Sequence, residues 1–148
     1  MRAVPAGLVL SVLVLAGCSE DPDDVRADYC AEVAERQVEL SDLLAEESPT
    51  ALLSALPVFR DLAAEAPRDI ADDWAVLVDA LDGLTDALDE ADIAPTSYDP
   101  EHPPADLTDD ERAAIEHAAA QLLHRRTDDA FQAVDQHARD ICKTPLYQ

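Results

Sequence analysis

The sequence predicts an all-α fold, an antiparallel bundle of four or five helices, on three observations. Glycine is nearly absent: Gly7, Gly17 and Gly83 are the only three in 148 residues. Alanine and leucine dominate while β-branched residues are sparse, which favours helix by intrinsic propensity. Apolar side chains recur every third or fourth residue in several stretches, the spacing of one helix face. The scarcity of glycine also narrows the function classes. Phosphate-cradling loops and tight hairpin turns use glycine for positive φ or close backbone approach, so a Rossmann or P-loop nucleotide site is not expected.

Taken in order, the elements follow from these patterns. A first helix begins near Asp23 or Asp24, acids suited to the positive end of a helix dipole. It carries Val25, Tyr29, Val33, Leu40 and Leu44, with Cys30 beside the stripe. Ser48-Pro49 is a cap and first-turn signal for a second segment bearing Leu52, Leu53, Leu56, Phe59 and Leu62. Pro57 lacks an N–H and is expected to split that segment; Pro67 ends it. From Arg68 to about Glu90, Ile70, Trp74, Leu77, Leu81, Leu84 and Leu88 alternate spacings of four and three, an a/d seam. Gly83, Ala80 and Ala87 flank the seam, either as a ridge for close helix approach or with Gly83 merely tolerated.

Residues 91–107 contain Pro95, Pro100, Pro103 and Pro104 without periodicity and read as an irregular connection. Thr108 to Glu111 forms a capping box for a helix with Ile115, Ala119 and Leu122. Thr127-Asp128-Asp129 resembles another cap, before a last helix presenting Phe131, Val134, Ala138 and Ile141. Nothing after Leu123 forces a break, so these two helices and one long bent helix are both open. No repeat or second-domain boundary interrupts 25–148, which reads as a single helical domain.

The start of the chain adds an address. Arg2 precedes an apolar stretch from Ala3 to Ala16, the length of a signal-peptide core and shorter than the roughly 17–25 residues of a membrane span. Leu15-Ala16-Gly17-Cys18 closes it and resembles the lipobox of bacterial lipoproteins. The resemblance implies that 1–17 is a signal peptide, that Cys18 is lipidated after cleavage, with fatty acyl groups such as palmitate, and that 18–24 is a tether. The implied location is the outer face of the cell membrane. The rest of the chain is similar to small alanine- and aspartate-rich helical lipoproteins of high-GC Gram-positive bacteria, on its Tyr29-Cys30 near the mature start and Cys142 near the end. That likeness implies a fold and a location but no activity.

With Cys18 taken by lipid, Cys30 and Cys142 remain as an even pair in an oxidising compartment. They are expected to form a disulfide joining the first and last helices, the alternative being two buried free thiols. Charge then constrains partners. The chain holds 33 acidic and 10 basic side chains for a net −23, and loss of Arg2 with the signal makes the mature part −24. Nucleic acid and anionic headgroups are repelled, so attachment to the membrane falls to the lipid on Cys18. An envelope protein of unspecified identity is the expected partner.

Candidate chemistry is thin. Asp79, Asp82 and Asp86, with Asp89, form an acidic line on the third helix that gathers cations or simply meets solvent. No Asp-x-Asp-x-Asp-Gly calcium loop is present. His117 and His124 lie seven apart and His137 sits elsewhere, without the His-Glu-x-x-His spacing of zinc catalysis. Asp99-Pro100-Glu101-His102 is the nearest approach to a loop metal site, and a surface linker explains it with fewer assumptions. Tyr98 and His102 in that linker, with the acidic line, make a candidate partner surface. No serine sits in a Gly-x-Ser-x-Gly setting, and Trp74 on the seam reads as core rather than sugar platform. The expectation is a non-enzymatic, membrane-tethered binding or scaffold domain needing no cofactor or metal. The alternative is a small solute or cation receptor serving a transporter.

Overall fold

A computed structural model describes residues 21–46, 48 and 50–148. The signal segment, Cys18, the first part of the tether and Pro49 lie outside these residues. Five α-helices account for most of the described chain: α1 (Pro22–Ala45), α2 (Ala51–Ala64), α3 (Ala71–Glu90), α4 (Asp109–Leu122) and α5 (Arg125–His137). A 3-10 turn at Pro95–Ser97 interrupts the proline-rich connection, and a π turn at Ala138–Cys142 follows α5. The all-α bundle is as expected, and α4 and α5 are separate helices.

The apolar spacing forms the core. Ile70, Trp74, Leu77, Leu81, Leu84 and Leu88 are all buried, and α3 packs against α2, α4 and α5 as the central element. Tyr29, Val33 and Leu40 face this core from α1, and Leu53, Leu56, Phe59 and Leu62 from α2. On the outer surface, Arg36 spans α1 and α2, bonding Glu32 at 2.7 Å, Glu39 at 3.1 Å and Asp61 at 3.1 Å. Those hydrogen bonds to Glu32 and then Glu39 hold the guanidinium even more firmly protonated than usual.

Several boundaries differ from the sequence expectation. α1 starts at Pro22, capped by the Asp21 carboxylate accepting from the Asp23 N–H at 2.9 Å, so the last tether residues are helical. Proline at the first turn forfeits an N–H that had no partner there anyway. Thr50 occupies the N-cap position of α2, while the Ser48 hydroxyl accepts from the Thr50 N–H at 3.2 Å. Pro57 does not split α2. Its ring is exposed, and buried Leu53, Leu56, Val58 and Phe59 carry the helix through it. Burial of that many large side chains, about 1.5–3 kcal/mol each, exceeds the roughly 3 kcal/mol penalty of an interior proline.

The junction after α4 is also corrected. His124, not Thr127, caps α5, its Nδ1 accepting from the Arg126 N–H at 3.2 Å. Thr127 is buried and donates its hydroxyl to the Gln121 carbonyl at 2.8 Å, tying α5 to the last turn of α4. Ile141 does not join the core. Within the π turn it is 44 % exposed, whereas Cys142 packs against the core and bonds to Cys30. The two Cα atoms are 5.0 Å apart across 112 residues of sequence.

Beyond the bridge the last residues fold back on α1. Gln37 donates to the Pro145 carbonyl at 2.8 Å, Leu146 is fully buried, and Tyr147 stacks on Phe131. Gly83 settles its two readings: a Cβ placed there meets nothing within 4 Å, so no neighbouring helix exploits the missing side chain. No helix among the described residues is long and apolar enough to cross a membrane.

Candidate functional site

Of the sequence-predicted surface residues, Asp79 and Tyr98 border different hollows. Asp79 is exposed on α3 and lines a hollow with His124 and Arg126. Asp82 is paired with Arg60 of α2, so its charge is already answered within the fold. Asp86 is exposed farther along the same helix. Tyr98 is half-buried against the core and borders a different depression, shared with Ser48 and Thr50. The acidic line is therefore broken by one ion pair.

In the proline-rich connection, Asp99, Glu101 and His102 do converge. One ligand atom from each lies within 4.8 Å of the other two, and all three residues are exposed. His102 Nδ1 sits 2.9 Å from Asp99 Oδ2, and the Asp99 carboxylate also accepts the Glu101 N–H at 2.9 Å. These bonds, the His102 contact first, hold Asp99 below the usual carboxylate range. Three exposed ligands fall short of the six to eight oxygens of a calcium site.

Inside the bundle a second polar group of residues meets. Trp74 Nε1 donates to the Tyr29 hydroxyl at 3.0 Å, with both side chains fully buried. The His137 ring packs edge-on to Tyr29 at 5.7 Å, and its side chain is only 9 % exposed. His137 Nε2 lies 3.4 Å from Asp69 Oδ2, too poorly aligned for a hydrogen bond, and neither ring nitrogen has a partner among the described residues. Burial is the main cause pushing the Tyr29 phenol up; the Trp74 hydrogen bond opposes it and Asp69 adds to it. Trp74 is core, as the seam predicts, and its indole N–H is satisfied internally.

The most distinctive surface lies where α4 meets α5. Leu52, Leu77, Leu122, Leu123 and Phe131 line a cleft of about 420 Å³, with Arg125, Thr127 and Asp128 at its edge. A second hollow shares Arg125 and holds Asp72, Asp73, Asp79, Arg126 and Asp129. Leu123 is 85 % exposed, because α4 ends at Leu122 and the chain turns outward to the His124 cap. Sequence reasoning missed this place. Its signal was a leucine pair followed by His124-Arg125-Arg126, two arginines ahead of the single first-turn acid Asp128, where α1, α3 and α4 open on two or three acids.

Cys18 lies outside the described residues, while Cys30 and Cys142 are bonded to each other. No protein-family model, curated protein or solved structure matches this chain.

Proposed function

We propose that the chain is a lipid-tethered, extracytoplasmic binding domain, held to the outer face of the membrane through Cys18 and acting without catalysis. The observation that carries this reading is the Cys30–Cys142 bridge. Disulfides persist in oxidising compartments, and a signal-like apolar stretch ending in Leu15-Ala16-Gly17-Cys18 supplies a route and an anchor to one. A net charge of −23 leaves no electrostatic means of holding an anionic membrane. Two or more acyl chains on one cysteine anchor stably where a single chain does not. The tether then raises the local concentration of the domain near envelope partners.

Three polar contacts inside the fold are structural. The Tyr29 hydroxyl takes the Trp74 N–H, Thr127 binds Gln121, and Thr108 and Glu111 cap α4. A second reading, a cation receptor serving a transporter, draws on the convergence of Asp99, Glu101 and His102. Melting curves with divalent cations separate the two: a saturable rise that Asp99→Asn removes favours the receptor.

The leading reading is tested by fractionation and crosslinking in the native envelope. Wild-type chain sediments with membranes and yields a discrete crosslinked adduct, and Cys18→Ser releases it into the soluble extracytoplasmic fraction. Retention of the Cys18→Ser variant on membranes, or wild-type chain in the cytosol, contradicts it.

A further inference from the structure

We infer that the apolar cleft at the α4–α5 junction docks a basic amphipathic segment of a protein partner. The inference rests on the binding-domain reading and adds to it the surface and the chemistry of the partner. The first support is apolar. Leu52, Leu77, Leu122, Leu123 and Phe131 come from α2, α3, α5 and the end of α4, and leave an opening of about 420 Å³. Leu123 stands at its mouth with 85 % of its surface in water. It adds little to the core, and a partner that covers it gains its burial. Side chains spaced three or four apart on a partner helix fit such a cleft, the helix-in-groove mode of recognition.

The second support is charge. The cleft itself carries one charge of each sign, Arg125 and Asp128, and the hollow beside it adds Asp72, Asp73, Asp79 and Asp129 against Arg126, so the acidic surplus flanks the cleft on that side. Arg125 Nε is 3.7 Å from Asp129 Oδ2, so part of that small basic complement is already engaged. The local balance is acidic on a molecule that is acidic throughout. A partner whose apolar side chains are flanked by lysine or arginine is attracted and oriented; an acidic segment, a second copy of this chain or an anionic lipid surface is repelled.

The test titrates the disulfide-intact chain into a labelled synthetic helical peptide of leucine and lysine, leucines at helical spacing, and reads anisotropy. A leucine–glutamate peptide of the same pattern and anionic phospholipid vesicles serve as rival occupants. Binding to the leucine–lysine peptide is saturable and one-to-one, and Leu123→Ser weakens it about tenfold or more. Val38→Ser, which removes another exposed apolar side chain (68 %) from α1, leaves it unchanged. Both positions are on the surface, and unchanged melting verifies the fold of each variant. Equal affinity of the two variants reduces the attraction to bulk charge and overturns the inference. So does absence of saturable binding, or preference for the glutamate peptide or the vesicles. In the envelope, an adduct that survives Leu123→Ser removes the cleft and leaves the binding-domain reading standing, whereas no adduct with wild-type chain removes that reading itself.

Discussion

Tyr29 joins α1 to α3 through a single oxygen, and the Trp74 N–H it accepts is buried with no access to water. An unsatisfied buried donor costs about 1–3 kcal/mol, so Tyr29→Phe lowers stability by that amount. The measurement is a fall in the urea midpoint with the slope unchanged. The same phenol makes stability depend on pH. Its pKa in the fold stands above the ordinary 10.0, chiefly through burial. Its contribution is therefore whole below about pH 10 and is lost as pH rises through the folded value. In alkali the Tyr29→Phe variant loses less stability than wild type. Gly83 is the opposite kind of residue, exposed on α3 with open space where a Cβ would stand. Gly83→Ala stabilises by about 0.5–1 kcal/mol, read from thermal melting, because alanine loses less backbone entropy on helix formation.

Helices were legible where one face repeats and less so where an end or a kink is set by packing. The α3 seam is the clear case, since all six residues of the spacing are buried. The α4 capping box was equally readable, because Thr108 and Glu111 bond reciprocally within four residues. Thr108→Ala removes the bond to the Glu111 N–H and costs about 0.5–2 kcal/mol, measured by denaturant unfolding. Those bonds also hold Glu111 below the usual carboxylate range, the Thr108 hydroxyl first. The part of the cap that needs the carboxylate is present above the ordinary glutamate pKa and disappears as pH falls through the lowered one. Pro57 misled because local propensity ignores the buried side chains on both sides of it. Thr127 is a reasonable cap in sequence and His124 is not, and only packing against Gln121 sends Thr127 inward. The π turn that leaves Ile141 exposed while Cys142 reaches α1 has no local sequence signal. The α4–α5 cleft escaped for a related reason: its walls come from separate helices and no single stretch contains it.

Across the whole molecule, the bridge and the charge act at long range. Cys30 and Cys142 are 112 residues apart, and closing a loop of that size removes about 4–5 kcal/mol of unfolded-state entropy in the chain-entropy model. Reduction, or the Cys30→Ser/Cys142→Ser pair, lowers stability by up to that amount in urea unfolding. This pairing could be read from cysteine number once Cys18 was assigned to lipid, whereas the Leu146 and Tyr147 packing that surrounds it could not. The acidic line on α3 was legible from its spacing, whereas its engagement, with Asp82 paired and Asp79 beside Arg126, depends on the fold. Anchor and bridge together make the central claim, and intact mass spectrometry of chain extracted from native membranes tests both at once. The account predicts a chain beginning at lipidated Cys18 that gains the mass of two hydrogens on reduction. A chain that still begins at Met1, or one with free thiols at Cys30 and Cys142, contradicts it.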